Sequence, residues 1–428
     1  MIPIKPISAE ISDSNERINK LNHTLDHAEP ARVANAYLKP GALSLPSLPP
    51  LSLYVHFPWC VKKCPYCDFN SHQISDDEKV GFPEKEYLDA LRADLEMSLP
   101  LIWGRKIYTI FIGGGTPSLL SAAGLDRLLS DIRTLLPLDG AVEITMEANP
   151  GTFEAEKFKS YRASGINRLS IGIQSFNSHH LQALGRIHNG DEARRAIDIA
   201  TSNFDNFNLD LMYALPSQTL AEARDDVKTA IAYAPPHLSL YHLTMEPNTV
   251  FAKYPPTVPD DDASADIQDM IGEEMSSAGY KHYEVSAYAQ PQRQARHNLN
   301  YWQFGDYLGI GAGAHSKLSF PHRVIRQARY KQPTTYMQRM QQGNAVQEEH
   351  EIARDEMSFE FMLNAMRLVD GVEVNLFGER TGMPLNAIER ALNQAEAKGL
   401  LYRDHKTIKP TVLGQAFLND LQQMFLVD

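Results

Sequence analysis

The sequence predicts an α/β protein: an open, partial (β/α)6 barrel followed by a C-terminal winged-helix-like helical domain. Three observations carry this. Six short β-branched runs alternate with amphipathic stretches between Leu51 and Leu243, and strands joined by helices in this way make right-handed crossovers in a parallel sheet. The residues capable of chemistry fall just after those runs, at the strand ends where such sheets carry their sites. Beyond position 350 the strand pattern gives way to helices with one short strand pair. Six units are too few for a closed eight-strand barrel.

The elements follow in order. Residues 1–50 are mixed polar and charged, and Pro-rich from Pro40 to Pro50, which reads as a flexible or weakly helical leader. Its acidic residues, Glu10, Asp13 and Glu16 among them, argue against a mitochondrial transit peptide. The barrel is expected over 51–245. LSLYVHF (51–57) is a buried strand, followed by a cysteine loop and a helix around 84–99. KIYTIFI (106–112) is a strand ending in Gly113-Gly114-Gly115-Thr116-Pro117, with a helix near 121–136. VEITMEA (142–148) leads into Asn149-Pro150-Gly151 and a helix near 154–164. RLSIGIQ (168–174), NFNLDLM (206–212) and HLSLYHL (237–243) complete the strands, with helices near 191–203 and 219–233. Residues 246–349 read as an extension associated with the barrel, and 350–428 as the C-terminal domain. There, a helix at 355–369, a short helix ending at Gly382, a helix at 384–398 and the run GLLYRDHKTIKPT suggest a winged helix.

Composition narrows the function. Of 428 residues, 43% are hydrophobic and 22% charged, enough apolar material for real cores. The formal charge of −12 repels phosphates, and residues 352–428, with 8 Lys+Arg against 11 Asp+Glu, are a poor DNA surface. No nucleic-acid partner is expected. Neither a signal-peptide core nor a membrane-length apolar run occurs, so a soluble, cytoplasmic protein is the expectation.

The three cysteines, Cys60, Cys64 and Cys67, all lie in HFPWCVKKCPYCDFNSH. An odd number cannot pair fully, and loops this short make poor disulfide frameworks. Three thiolates on one loop can instead face a metal centre. Zinc normally takes a fourth protein ligand, for which His56 and His72 are near enough in sequence. An iron–sulfur cube held by three thiolates keeps one iron open. The spacing C-x3-C-x2-C favours the cube, because structural zinc sites usually join two separated pairs. A zinc-stabilised interaction protein is the alternative from another class.

C-x3-C-x2-C with an aromatic, Tyr66, before the last cysteine resembles the radical S-adenosylmethionine (SAM) enzymes. That resemblance implies a [4Fe-4S] cluster on Cys60, Cys64 and Cys67, SAM chelated at the open iron, and a radical SAM partial barrel. It implies that Tyr54 and Tyr66 contact the adenosyl or methionine group, and that Gly114, Gly115 and Thr116 approach the SAM amino group. Glu147 is expected to hydrogen-bond the ribose or the amino group. Arg186 is expected to pair with the carboxylate through a charge-assisted fork, and Gln174 and Asp210 are strand-end candidates that on their own chemistry equally read as caps.

His297, Asn298, Tyr301 and Trp302 form H-N-x-x-Y-W. On bare chemistry a histidine among aromatics is more often a satisfied core side chain than a ligand, yet imidazole is the usual haem axial ligand. Met245, Glu246 and His315 are lesser candidates. The segments IFIGGGTPSLL, ITMEANPG, SIGIQSF, LGRIH, NLDLMYALP, HNLNYW and GIGAGAHS are together similar to the HemW group, from about Leu51 to the C-terminus. This likeness implies a chaperone that binds haem at H-N-x-x-Y-W and passes it to acceptor haemoproteins, including by transient association with membrane-bound ones. It also implies a flavodoxin- or ferredoxin-type electron donor. The related oxygen-independent coproporphyrinogen III oxidases carry one more cysteine two positions after the third, where this chain has Phe69. Oxidative decarboxylation of porphyrinogen propionates to vinyl groups is the alternative activity.

Overall fold

A computed structural model describes residues 43–74, 82–152 and 154–426. Strands and helices alternate as β1 (Leu51–Phe57), α1 (Glu84–Ile102), β2 (Ile107–Gly114), α2 (Ala122–Leu135), β3 (Leu138–Ala148), α3 (Ala155–Ser164), β4 (Arg168–Gln174), α4 (Gly190–Asn203), β5 (Phe207–Tyr213), α5 (Leu220–Ala232) and β6 (His237–His242). All seven residues of β1 are buried, as befits a strand covered on both faces. Helix starts follow local chemistry: Asn189 with Glu192 and Thr219 with Glu222 form reciprocal capping boxes at α4 and α5. Two barrel elements differ from expectation at one end: β3 starts at Leu138 rather than Val142, and α1 runs on. Helix α1 continues through Pro100 to Ile102, whose fully buried side chain anchors the last turn before Trp103 ends it in the left-handed region.

The sheet is larger than the six expected strands. After α6 (Asp261–Ser277) come β7 (Lys281–Glu284), β8 (Ala287–Ala289), α7 (Arg296–Trp302), β9 (Asp306–Ile310), β10 (His315–Phe320), β11 (Arg323–Arg329), α8 (Pro333–Gln341) and β12 (Val346–Glu351). The twelve strands run in the order β12-β11-β10-β9-β1-β2-β3-β4-β5-β6-β8-β7, and the sheet does not close. Strands β1 to β6 are parallel, and β9 adds a seventh parallel strand beside β1. The outer strands pair antiparallel. Their short, mixed-polarity runs carry little alternation, which is why the 246–349 stretch did not read as sheet.

One core fills both faces of this sheet. A buried ion pair ties its far edge to the first helix: Arg329 on β11 meets Asp94 on α1 at 3.0 Å, both side chains 0% exposed. Asp94 also accepts from the Tyr336 hydroxyl (2.9 Å) and the Gly311 N–H (3.2 Å).

A second core gathers α9 (Glu356–Ala365), β13 (Val372–Glu373), α10 (Val374–Thr381), α11 (Glu389–Ala397), β14 (Leu401–Arg403), β15 (Thr407–Pro410) and α12 (Leu418–Gln423). Gly382, left-handed at φ 65°, stops α10 as expected, and β13-β15-β14 form a small antiparallel sheet.

The leader needs correction at its end. Positions 1–42 lie outside the described residues, but 43–50 pack as a strap. The Leu43 and Leu45 N–H groups donate to His322 O and Pro321 O, and both side chains enter the second core. Their alternate spacing was hidden beneath the proline content. The Pro49 and Pro50 carbonyls accept from Arg105 and from the Asp306 N–H.

Candidate cluster and cofactor site

The cysteine loop leaves the mouth of β1 and closes at its base, where Trp59–Cys60 pairs in parallel with His72–Gln73. Inside it, the Cys67 N–H donates to Cys64 O (3.2 Å), and the Lys63 ammonium bridges Phe69 O (3.2 Å) and Ser71 O (3.1 Å). From outside, the Phe251 N–H holds Pro65 O at 3.0 Å, and the Phe251 ring packs near Tyr66. All three cysteines are free and partly buried. Burial pushes the Cys60 thiol up to about 11 and raises that of Cys67, so coordination by a metal must supply the deprotonation.

The two histidines that could complete a zinc site are committed elsewhere. His56 is buried, and burial brings it down to about 4, so its ring is neutral. Its Nε2 lies 2.8 Å from Asn70 O, which can only accept, so Nδ1 takes the Tyr54 hydroxyl proton at 2.9 Å. His72 uses Nε2 on Asn70 Oδ1 (3.2 Å), close to the Lys331 backbone. Three thiols on one loop, with no fourth protein ligand beside them among the described residues, suit a cube with one open iron.

A glycine ledge lies against the loop. Gly114 has φ +112°, and a Cβ there would stand 2.5 Å from the His56 ring. One on Gly115 would stand 2.5 Å from Trp59 O. This close approach lets the Gly115 and Thr116 N–H groups donate to Phe57 O (2.6 Å) and Trp59 O (2.8 Å), while Gly114 N–H donates to Glu147 Oε2 (2.9 Å). With those donors engaged, the ledge offers a ligand carbonyl oxygen, the group an ammonium needs. Burial in the mouth pushes the Glu147 carboxyl up to about 7, the Gly114 bond opposing and the nearby Asp210 adding to the rise.

Thr116, Asn149, Arg186 and Cys64 line one cleft. Asn149 Nδ2 donates to Thr116 Oγ1 (2.9 Å), and Asn149 Oδ1 accepts from Arg186, which also donates to Gly172 O (2.9 Å). Gly172 makes room for Asn149, Gln174 and Arg186 to converge. Gln174, at the end of β4, is left-handed at φ 67°. Asp210 is satisfied within the sheet by Ser170 Oγ (2.9 Å) and Asn208 Nδ2 (2.7 Å), and burial raises its pKa. Tyr54 is buried against Phe111, and Tyr66 lies beside Arg186. Asn149 and Ser71 were missed as site residues. Asn149 read only as a turn former in MEANP, although it stands two positions past Glu147 at the same strand end.

The H-N-x-x-Y-W residues form α7, away from the cysteine loop in the chain but against the sheet interior. Glu143 on β3 accepts the N–H groups of Arg296 (3.0 Å) and His297 (3.3 Å), fixing the helix start. His297 is 1% exposed, and burial lowers it to about 3. Its Nδ1 lies 2.7 Å from Thr109 Oγ1, whose own proton goes to Ser52, so Nδ1 carries the hydrogen. Nε2 then accepts from the Tyr301 hydroxyl at 3.0 Å. Asn298 is half-buried, and Trp302 lies under the Arg367 guanidinium, 4.3 Å away, with its indole N–H unpartnered among the described residues. Met245 packs with Leu243 and Phe251, Glu246 O accepts the Thr249 hydroxyl, and His315 is exposed at the start of β10.

An open parallel sheet with three thiols on one loop at its mouth and a glycine ledge beside them defines a radical SAM protein. Residues 54–230 match the Radical SAM superfamily and 352–417 the HemN C-terminal domain. Heme chaperone HemW of Haemophilus influenzae is 47% identical over 390 residues, 90% of this chain and 100% of that protein. Heme chaperone HemW of Escherichia coli is 47% identical over 383 residues, 89% of this chain and 99% of its own. The chain belongs to the HemW family. Its fold is similar to that of coproporphyrinogen III oxidase (HemN) from Escherichia coli, with a TM-score of 0.75 at 23% identity, covering 96% of this chain and 98% of that one. Among the described residues, no helix is long and apolar enough to cross a membrane.

Proposed function

We propose that this protein is a cytoplasmic haem chaperone that binds haem and hands it to acceptor haemoproteins, membrane-bound ones among them through transient contact. The observation that carries this reading is the match, at 47% identity over about nine-tenths of the chain, to proteins named heme chaperone. Cys60, Cys64 and Cys67 would hold a [4Fe-4S] cluster, fed by a flavodoxin- or ferredoxin-type donor. Such a cluster supplies reductive cleavage of SAM. The ledge carbonyls and Glu147 suit the SAM ammonium, and Tyr54, Tyr66, Gln174, Arg186 and Asp210 surround the same mouth. Glu147 binds a cation only as the carboxylate, so its elevated pKa near 7 sets a pH dependence. SAM affinity should rise between pH 6 and 8 in the wild type. In Glu147→Gln it should be flat and about tenfold weaker at pH 8, the loss of one charged contact; isothermal titration at several pH values checks both.

His297, Asn298, Tyr301 and Trp302 are proposed as the haem site. The histidine tautomer supports it: Nδ1–H is oriented by Thr109, as ligating histidines are by their outer partners, leaving the Nε2 lone pair for iron. That lone pair is covered by Tyr301, so ligation requires α7 to open. Haem loading should therefore speed amide exchange at 296–302, measured by mass spectrometry; unchanged exchange with haem bound would place the ligand elsewhere.

The function is tested by incubating haem-loaded, cluster-reconstituted protein with an apo-haemoprotein, and separately with SAM, reductant and coproporphyrinogen III. Haem transfer without porphyrinogen consumption is expected. Decarboxylation without haem transfer would establish the oxidase activity instead.

A further inference from the structure

Each of the three cysteine sulfurs has its own hydrogen-bond partner, and each partner comes from a different place in the fold. Thr116 Oγ1, on the ledge after β2, donates to Cys60 Sγ at 3.4 Å. Arg186 Nη1, beyond β4, donates to Cys64 Sγ at 3.8 Å. Ser71 Oγ, at the end of the cysteine loop, lies 3.7 Å from Cys67 Sγ, and against a thiolate it can only donate. The first two are joined. Arg186 Nη2 donates to Asn149 Oδ1, Asn149 Nδ2 donates to Thr116 Oγ1, and the Thr116 hydroxyl donates to Cys60. One guanidinium thus reaches Cys64 directly and Cys60 through a two-residue relay whose dipoles all point the same way, each bond polarising the next. Arg186 is held for this by the Gly172 carbonyl, and Asn149 has no side-chain nitrogen or oxygen left without a bond in the relay.

We infer that Arg186, Asn149, Thr116 and Ser71 are positioning residues that set the reduction potential of the cluster. The inference rests on the cluster reading above and goes beyond it. Reduction adds negative charge that spreads onto the thiolates, so donors aimed at sulfur stabilise the reduced state more than the oxidised one and raise the potential. The chain's overall charge of −12 works the other way, and the cationic relay opposes it locally. On this account two of the five Arg186 hydrogens serve the cluster and a third is held by Gly172 O, which leaves two for the carboxylate fork expected of it toward SAM.

The experiment is an electron paramagnetic resonance redox titration of anaerobically reconstituted full-length protein, without SAM, with iron and sulfide measured on each sample. Thr116→Val removes the relay's last donor with little change of shape, Thr116→Ser keeps it, and Ser71→Ala removes the independent donor at Cys67. Thr116→Val and Ser71→Ala should each be about tenfold less reduced at a fixed poise, a downward shift of about 59 mV for one electron, at full iron content. Thr116→Ser should return to the wild-type potential. Fully loaded Thr116→Val and Ser71→Ala proteins with the wild-type potential would overturn the inference, as would a Thr116→Ser protein that titrates like Thr116→Val. If Thr116→Val does not retain iron, Ser71→Ala decides by the same criterion. A wild-type protein that assembles no cluster would instead remove the reading beneath it.

Discussion

Cys64→Ala protein, reconstituted anaerobically beside the wild type, is expected to lose the cluster and with it all SAM cleavage. Losing outer-sphere partners of a metal typically costs about 10–100-fold in affinity, and losing a thiolate from a three-thiolate set should exceed that. Iron and sulfide should fall to background. The polypeptide should remain folded, because the loop is not built on its sulfurs. The Trp59–His72 pairing closes its base, Lys63 spans its interior, and Phe251 clasps Pro65. The Cys64→Ala protein should therefore melt with the cluster-free wild type. Wild-type iron content in Cys64→Ala would contradict the assignment of the three cysteines.

Asp94→Ala is expected to cost about 3–5 kcal/mol, the range for removing one partner of a buried ion pair. The charge left behind explains the size of the effect. Arg329 donates to Asp94 through Nε and Nη2, and with its side chain 0% exposed it has no water to turn to. The Tyr336 hydroxyl and the Gly311 N–H lose their acceptor as well. Gly311 lies directly against the His56 carbonyl, so the damage reaches the start of the cysteine loop. The urea midpoint should fall sharply at unchanged slope, and Asp94→Asn, which keeps some acceptors, should fall less. A midpoint within experimental error of the wild type would show that the pair does not hold α1 to the sheet.

Much of this architecture is legible in the chain because local and global signals agree. The runs at 51–57, 168–174 and 237–243 announce themselves as strands because both faces are covered and every position tolerates an apolar side chain. The edges are different. Strand β8 joins β6 across some 50 positions of sequence and β9 joins β1 across some 250, so short windows carry no trace of those pairings. Leu43 and Leu45 were lost for the opposite reason, since nearby prolines dominated a segment whose burial depends on His322 and Phe361 far along the chain.

The site shows the same division. The cysteines stand out by their spacing, and the ledge and Glu147 are reached only through the family resemblance that this spacing carries. Which donor serves which sulfur depends on how three strand ends converge, so Asn149 and Ser71 looked like ordinary turn residues. His297 reads from sequence as either a core residue or a ligand. Its geometry contains both descriptions, a buried ring with one nitrogen oriented and the other covered by a residue of the same motif.

The central claim is haem binding, and its most direct measurement is an anaerobic titration of the cluster-reconstituted protein with haem, followed by absorption, with His297→Ala alongside. The account predicts saturation at one haem per chain in the wild type and a weakened, spectrally altered complex in His297→Ala. A wild-type protein whose spectrum with added haem is the sum of the two separate spectra would contradict it.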